Sequence, residues 1–567
     1  MMTKRQRYEI ARAEMILERN SFDADYQELA DYLAPRRVRF MTTDVNRGGR
    51  RDQKIIDSTG RFAVRTIQSG LHAGLTSPAR PWLRVGVPDP DLNEFAPVKA
   101  WLHTVTGRML DVFLKSNLYN ALPVLYGDMA VFGTAAMAVL EDDQDLMRCQ
   151  VFPTGSYAIA LNARGVATAF TRDYAMTVRR VVETFGVVPG SRDIDWSKIS
   201  QTVKNLYDRG SYEQKVDVTW MVAPNTEADA RALYPAQRMP WHSCYFERGA
   251  RENVFLREGG YEQFPFMVPR WDVTGEDIYG TDCPGMVAIG DVKQLQLMTR
   301  QKAKAIAKAI DPPLQGPTAL RTTKTSLLPG DLTLVDVREG MQGLRPIHDI
   351  RLEGVQVFAL DIGETQMRIR RSFYEDLFLM LATSDNMRGA QPITAAEVNE
   401  RHEEKLLALG PVLERTNDEL LDPLVDRVFA MMLRAGAIPA PPEELHGMDL
   451  KVEYISLMSQ AQKLVGVSGQ DRFLQSTQGL VAMFPEAKHK INVWQAIDDY
   501  AEMLGVNPKL VRSDEEASAG LEAEHQAHAQ AAAAEQFTKT AQATKALGET
   551  PMGGDTALSR MTDRLAA

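Results

Sequence analysis

The stretch "GDVKQLQLMTRQKAKAIAKAIDPP", Gly290 to Pro313, decides how the rest of the chain is organised. The protein has a formal net charge of -10, yet here Lys293, Arg300, Lys302, Lys304 and Lys308 face Asp291 alone before the closing aspartate. Wound at about 100° per residue, Lys293, Arg300, Lys304 and Lys308 share one narrow stripe. Leu295, Met298, Ala305, Ile306 and Ala309 take the opposite side, where Lys302 intrudes. The spacing predicts a helix of about twenty residues, about 30 Å long, with one basic face and one packing face. Its end is abrupt: Pro312 disfavours helical dihedrals at Asp311, and Pro313 adds a second block.

Upstream, the first thirty-five residues read as helix, ending at Pro35. A Gly/Arg-rich loop, "DVNRGGRRDQK", precedes a helical pattern in "DSTGRFAVRTIQSGLHAGL", with Asp57 or Ser58 as its N-cap. "PVKAWLHTVTGRMLDVFLKSN" is amphipathic helix. Alternating runs then predict strands at "RCQVFP", "YAIAL", "VATAFTRDYAM", "KVDVTWMVAP" and "SCYFERG", with "NARG" as a turn. No βαβ alternation occurs, so this half is α+β and the whole chain α+β, mainly α.

Downstream, turn- and strand-like sequence that includes "SLLPGDLTLVDVREG" leads to a second long helical pattern, "VFALDIGETQMRIRRSFYEDLFLML". "ATSDNMRGAQP" follows as a loop of small and polar residues. Thr394 and Glu397 form a capping box for the next helix, which Gly410-Pro411 should kink. "AIPAPPEEL" breaks the chain, a smaller helical unit spans roughly Tyr454 to Val511, and the remainder is rich in Ala and Gln. Too few large apolar residues exist there to bury a helix alone, which predicts a mobile tail or one ordered by neighbours.

Composition excludes several classes. Cys149, Cys244 and Cys283 are odd in number and far apart, as in a reducing compartment. The charged N-terminus "MMTKRQRYEIARAEMILERN" lacks a secretory apolar core. The longest apolar run, "MAVFGTAAMAVL", has twelve residues and is too short to cross a bilayer, so no membrane insertion is expected. Between Arg36 and Arg84 eleven basic residues oppose three acids; a solvated or intersubunit surface is the simplest account. There is no P-loop, no H-E-x-x-H and no G-x-S-x-G. The carboxylates of "PDPD" and "EDDQD" read as surface turns, His72 as a packed helix residue, and His525 and His528 as tail residues. No catalytic residue, metal site or cofactor is predicted.

"IDSTGRFAVRTIQSGLHAGLTSPARPWLRV", "ITAAEVNERHEEKLLALGPVLERTNDELLDPLVDRVF" and "DDYAEMLGVNPKLVRSDEE" resemble the head-to-tail connector (portal) family of short-tailed double-stranded DNA bacteriophages. The resemblance runs from about residue 5 to about residue 515. It implies a ring, typically of twelve copies, at one capsid vertex of the virion, assembled in the host cytoplasm. DNA passes through the axial channel. The implied partners are double-stranded DNA, a terminase, a tail adaptor, and the major capsid and scaffolding proteins.

Carried onto this chain, the resemblance implies a wing (1–286), a first stem helix (287–310), a clip (311–350) and a second stem helix (351–382). A tunnel loop (383–393), a kinked wing helix (394–449), a crown (450–512) and a mobile or barrel-forming tail (513–567) complete it. The tunnel loop proper is Ser384, Asp385, Asn386, Met387, Arg388 and Gly389. Candidates for the DNA channel are Lys293, Arg300, Lys304, Lys308, Arg368, Arg370, Arg371 and Arg388. The basic stripe has two readings here, toward DNA or toward acids of a neighbouring subunit. The rivals for the whole chain are a metal-dependent phage nuclease or hydrolase and an internal scaffold protein of the virion.

Overall fold

The computed structural model describes residues 2–316 (without 90, 91, 94, 189, 192 and 251–253), 345–347, 352–378 and 409–455 (without 446, 448 and 449), then scattered short pieces. Two compact units divide the chain, 1–462 and 463–567. The described parts of the second unit include a helical stretch at 517–524 and a two-residue antiparallel pairing of Pro551–Met552 with Asp555–Thr556.

In the first unit, the N-terminal helical sequence forms α1 (Lys4–Asn20) and α2 (Asp23–Tyr32). Thr3 caps α1: its hydroxyl accepts from the Gln6 N–H, and the Gln6 side chain accepts from the Thr3 N–H. Next come α3 (Thr59–Leu75), β1 (Leu83–Gly86), α4 (Ala96–Lys115) and α5 (Leu118–Phe132). The apolar run 129–140 straddles the end of α5 and the start of β2 (Ala136–Asp142) and is buried from Met129 to Val139, with Leu140 half-buried.

The expected strands are present. Alongside β2, β3 (Leu146–Phe152) and β9 (Phe266–Met267) make a three-stranded antiparallel sheet. A five-stranded antiparallel sheet runs in order β4 (Tyr157–Leu161), β5 (Ala167–Thr177), β6 (Lys215–Pro224), β7 (Trp241–Glu247), β8 (Arg257–Tyr261). Period-two alternation decides what each face of it touches. Trp220 and Val222 of β6 join Phe152, Phe170 and Phe266 in one cluster. Met221 and Ala223 point the other way, onto Met15 of α1. Arg12 of α1 pins the helix to β5 through Asp173, with its Nε 2.9 Å from the carboxylate.

The largest core is helical. Leu29, Ile67, Leu71, Leu102, Phe113, Leu125 and Phe132 pack with residues of the long helix α6 (Pro284–Ile310), of α7 (Leu352–Ser372) and of α8 (Asp422–Arg434). α6 begins at Pro284, ahead of the stretch that predicted it, and stops at Ile310. Asp311 then takes non-helical dihedrals of φ -128° and ψ 77°, as a residue before proline must. Beyond it, β10 (Leu314–Gln315) pairs with β11 (Arg345–Pro346). Lys451–Tyr454, the opening of the expected crown, forms β12 on β1.

The root of α6 touches the end of α5 because Gly285 leaves room: a Cβ there would lie 2.4 Å from the Val131 carbonyl oxygen, and the chain just ahead of α6 approaches as closely. Gly133 ends α5 at φ +75°, and a Cβ there would lie 2.3 Å from the Gly280 carbonyl oxygen. Gly133→Ala is expected to cost roughly 2 kcal/mol or more, from left-handed strain plus a backbone clash. Gly165, at φ +74° with nothing within 4 Å, carries the strain alone. Gly165→Ala should cost about 1 kcal/mol. Urea-unfolding midpoints of the two variants against the parent measure the difference.

Candidate functional site

α6 is a 27-residue helix, about 40 Å long. α7 lies antiparallel beside it. Arg368 meets Asp291 at 3.1 Å, and Thr365, fully buried, meets the Met298 sulfur at 4.0 Å. Val292, Leu295 and Met298 bury against Ile362, Thr365 and Ile369, which recur at helical spacing on α7. Lys302 does lie on the packing side, half-buried with Ala305 and Ala309. Ile306, expected on the same side, is instead 37% exposed: it lies beyond the last buried residue of α6, Met298.

Three polar side chains, those of Gln296, Asp57 and Gln366, anchor this pair to the body. The Gln296 amide, 5% exposed, accepts from the N–H groups of Ile56 (2.6 Å) and Asp57 (2.8 Å) and donates to the Asp57 carbonyl (3.0 Å). The Asp57 carboxylate accepts from the Thr59 N–H at 2.8 Å, so Asp57 rather than Ser58 satisfies the start of α3. Its second oxygen accepts from Gln366 of α7 at 2.9 Å. The loop before α3, α6 and α7 are therefore locked by one connected set of hydrogen bonds. Phe378 closes the region by lying where a Cβ on Gly70 of α3 would fall, 2.2 Å from its ring. Sequence reasoning found only Asp57; nothing in the pattern marks Gln366, and Gln296 signals itself only as a lone amide among apolar positions.

The candidate cations divide into two groups. Lys293 is paired with Glu28 of α2, whose hydrogen bond and charge raise the lysine pKa. Arg368 is taken by Asp291, and Arg370 lies 3.7 Å from Glu375. Arg300, Lys304, Lys308 and Arg371 are exposed and make no ion pair among the described residues. Arg388 and the expected tunnel loop, Ser384 to Gly389, lie outside the described residues. So do the Thr394 capping box, His525 and His528.

The basic run 36–84 is partly neutralised within the fold. Arg37 pairs with Asp128, Arg51 with Asp44, and Lys54 with Asp31. Burial raises the Asp128 carboxyl pKa, and Arg37 works against that rise.

After the undescribed segment, helix resumes at residue 409, and Gly410-Pro411 lies in its first described turn. The described irregularity is a π-helical turn at Asn417–Leu421, just before α8. Within that turn Glu419 accepts from the Arg270 backbone N–H at 2.8 Å and from its guanidinium. One turn into α8, Arg427 is 2% exposed and donates to the carbonyls of Val139 (2.8 Å) and Gln263 (3.0 Å). Burial lowers its pKa to about 10. Both arginines fasten the helix to the β-sheet region.

Among the described residues, no group of His, Cys, Asp or Glu could hold a metal ion. No helix there is long and apolar enough to cross a membrane. All three cysteines are free and buried.

The sequence model of the family described as "Bacteriophage head to tail connecting protein" matches residues 5–511. The chain belongs to this connector family. It is 43% identical over 556 residues to the portal protein of Salmonella phage epsilon15, spanning 98% of this chain and 97% of that one. It is 42% identical over 498 residues to the probable portal protein of Bordetella phage BPP-1, spanning 87% and 86%. A solved chain from the virion of a native gene transfer agent particle overlaps 81% of this connector chain and 94% of its own length. The identity is 11% and the TM-score 0.32, a loose likeness.

Gln296→Leu would keep the volume but strand two backbone N–H groups, and is expected to destabilise the protein by about 2 kcal/mol or more. Gln366→Leu removes one half-exposed bond and should cost under about 1 kcal/mol. Chemical-denaturation midpoints, with limited proteolysis at the α6–α7 pair, distinguish the two.

Proposed function

We propose that copies of this chain close into a ring at one vertex of a phage capsid, where the virion's head meets its tail, and form the channel for genome packaging and ejection. The observation that carries this reading is the family match over residues 5–511, joined to portal relatives aligned over nearly their whole length. Twelve copies make up the proposed ring. Double-stranded DNA, a terminase, a tail adaptor, and the capsid and scaffolding proteins are its partners, and assembly takes place in the host cytoplasm. The role is structural: shape and charge do the work, and no residue makes or breaks a bond.

The physical chemistry of a conduit fits the free cations of α6. Lys304 and Lys308 stand on the clip-side half of the helix among alanines, exposed and without an acid partner among the described residues. We assign them to the channel, with Arg388 of the tunnel loop as a further contact. Two unit charges 4 Å apart in water interact by only about 1 kcal/mol, and screening at physiological salt reaches about 8 Å. Many contacts of that size, repeated around a ring, centre a duplex without gripping it. Phosphate-directed charge also ignores sequence, as a conduit must. Arg368 and Arg370, both engaged inside the subunit, serve the stem's own packing.

Two measurements test the reading. Light scattering on the assembled protein should give a mass several-fold above 63.3 kDa, close to an integral multiple. A chain that stays at one subunit's mass within particles contradicts the ring. Lys304→Ala with Lys308→Ala, and separately Arg388→Ala, should leave rings intact but lower the yield of DNA-filled particles severalfold. Normal filling by the double variant removes the channel role from α6.

A further inference from the structure

The paired helices carry exposed apolar side chains on both of their outer faces. On the side of α6 turned away from α7, Leu297 is 54% exposed and lies within the stripe of Lys293, Arg300 and Lys304. On the side of α7 turned away from α6, Leu360 (72% exposed), Glu364 and Met367 (54%) recur at helical spacing. A single exposed leucine needs no explanation. Large apolar side chains on opposite outer faces of one helical pair do.

We propose that the outer face of α6 in one copy packs against the outer face of α7 in the next copy. Leu297 then lies against Met367 and Leu360, and Arg300 pairs with Glu364. The proposal rests on the ring reading above and names the seam that such a ring would use.

Three observations favour a second copy as the occupant. A ring closed head to tail needs two different surfaces on opposite sides of each subunit, and the pair offers them. The second is level. The contacts of Arg368 with Asp291 and of Thr365 with Met298 set the register of the two helices. They put Leu297 level with Glu364, and Arg300 level with Asp361. Rotation about an axis that the pair follows keeps each residue at its level, which sets Leu297 between Leu360 and Met367, about one turn from each, and Arg300 within one turn of both Asp361 and Glu364.

Third, the charges complement. At that level α6 offers Arg300, free of any acid among the described residues. α7 offers Asp361 and Glu364, neither of which has an ion pair there. Burying the two apolar sets together supplies the non-directional attraction, and the ion pair fixes the register. Lys304 and Lys308 continue the same stripe, level with the first turns of α7, so the thiol ladder also reports whether that stripe faces the next copy or the channel.

The test uses the full-length chain in assembled particles, where the three native cysteines are buried. Leu297→Cys combined with Met367→Cys should give a ladder of covalent multimers after mild oxidation, seen by non-reducing denaturing electrophoresis. Each single variant should run as a monomer. Arg300→Glu should lower ring yield about tenfold, and adding Glu364→Arg should restore it.

Amine cross-linking of the parent protein is run in parallel and reports the ring itself. Rings without a thiol ladder overturn the seam and leave the ring reading standing; no ring in the parent overturns both. A ladder supports the packed faces, and failure of the charge swap to rescue Arg300→Glu overturns the Arg300–Glu364 pair.

Discussion

The buried amide of Gln296 is the contact on which the rest of the arrangement depends. A glutamine inside a helix's packing face is costly unless every one of its groups finds a partner, and here the loop at residues 56 and 57 supplies them. Because Asp57 also holds the start of α3 and the Gln366 amide of α7, one small set of bonds fixes three elements relative to one another. Hydrophobic burial along α6 and α7 provides most of the attraction but little direction. The polar set provides the direction. Without it, two amphipathic helices could slide along each other by a turn at small cost.

The second theme is how an acidic protein uses its positive charge. Several cations near the body are consumed inside the subunit: Lys293 by Glu28, Arg368 by Asp291, Arg37 by Asp128, Arg270 by Glu419. Those pairs orient elements and leave no charge to act at a distance. Arg300, Lys304 and Lys308 lie farther out along the same helix and are left free among the described residues. Along α6 the division follows position and not residue type, since a lysine is paired near the root and lysines are free farther out. A conduit wall built on a negatively charged protein calls for that kind of separation, which α6 shows along its length, with neutralised charge at the root and free charge farther out.

Much of the architecture was legible in the sequence because its signals were strong and local. The alternation in "KVDVTWMVAP" became β6, with Trp220 and Met221 on opposite faces, and the Asp-Pro-Pro stop fell where the dihedral preference of a residue before proline requires. The basic stripe is exposed as its spacing implied. What escaped was tertiary. Pro284 as the start of α6 depends on glycines of distant segments making room, and the lock through Gln296 and Gln366 joins residues far apart in the chain. Partners such as Glu28 for Lys293 cannot be seen in a helical projection. Angle alone places Ile306 on the packing face, yet angle does not say how far along α6 the burial against the body extends.

The most direct test of the account is an image of the protein as it sits in its particle, by cryo-electron microscopy at the vertex where head and tail meet. The account predicts a closed ring of identical copies, with the α6–α7 pairs side by side around an axial opening that admits a DNA duplex. A single globular copy at that vertex, or copies arranged with no opening between them, would contradict it.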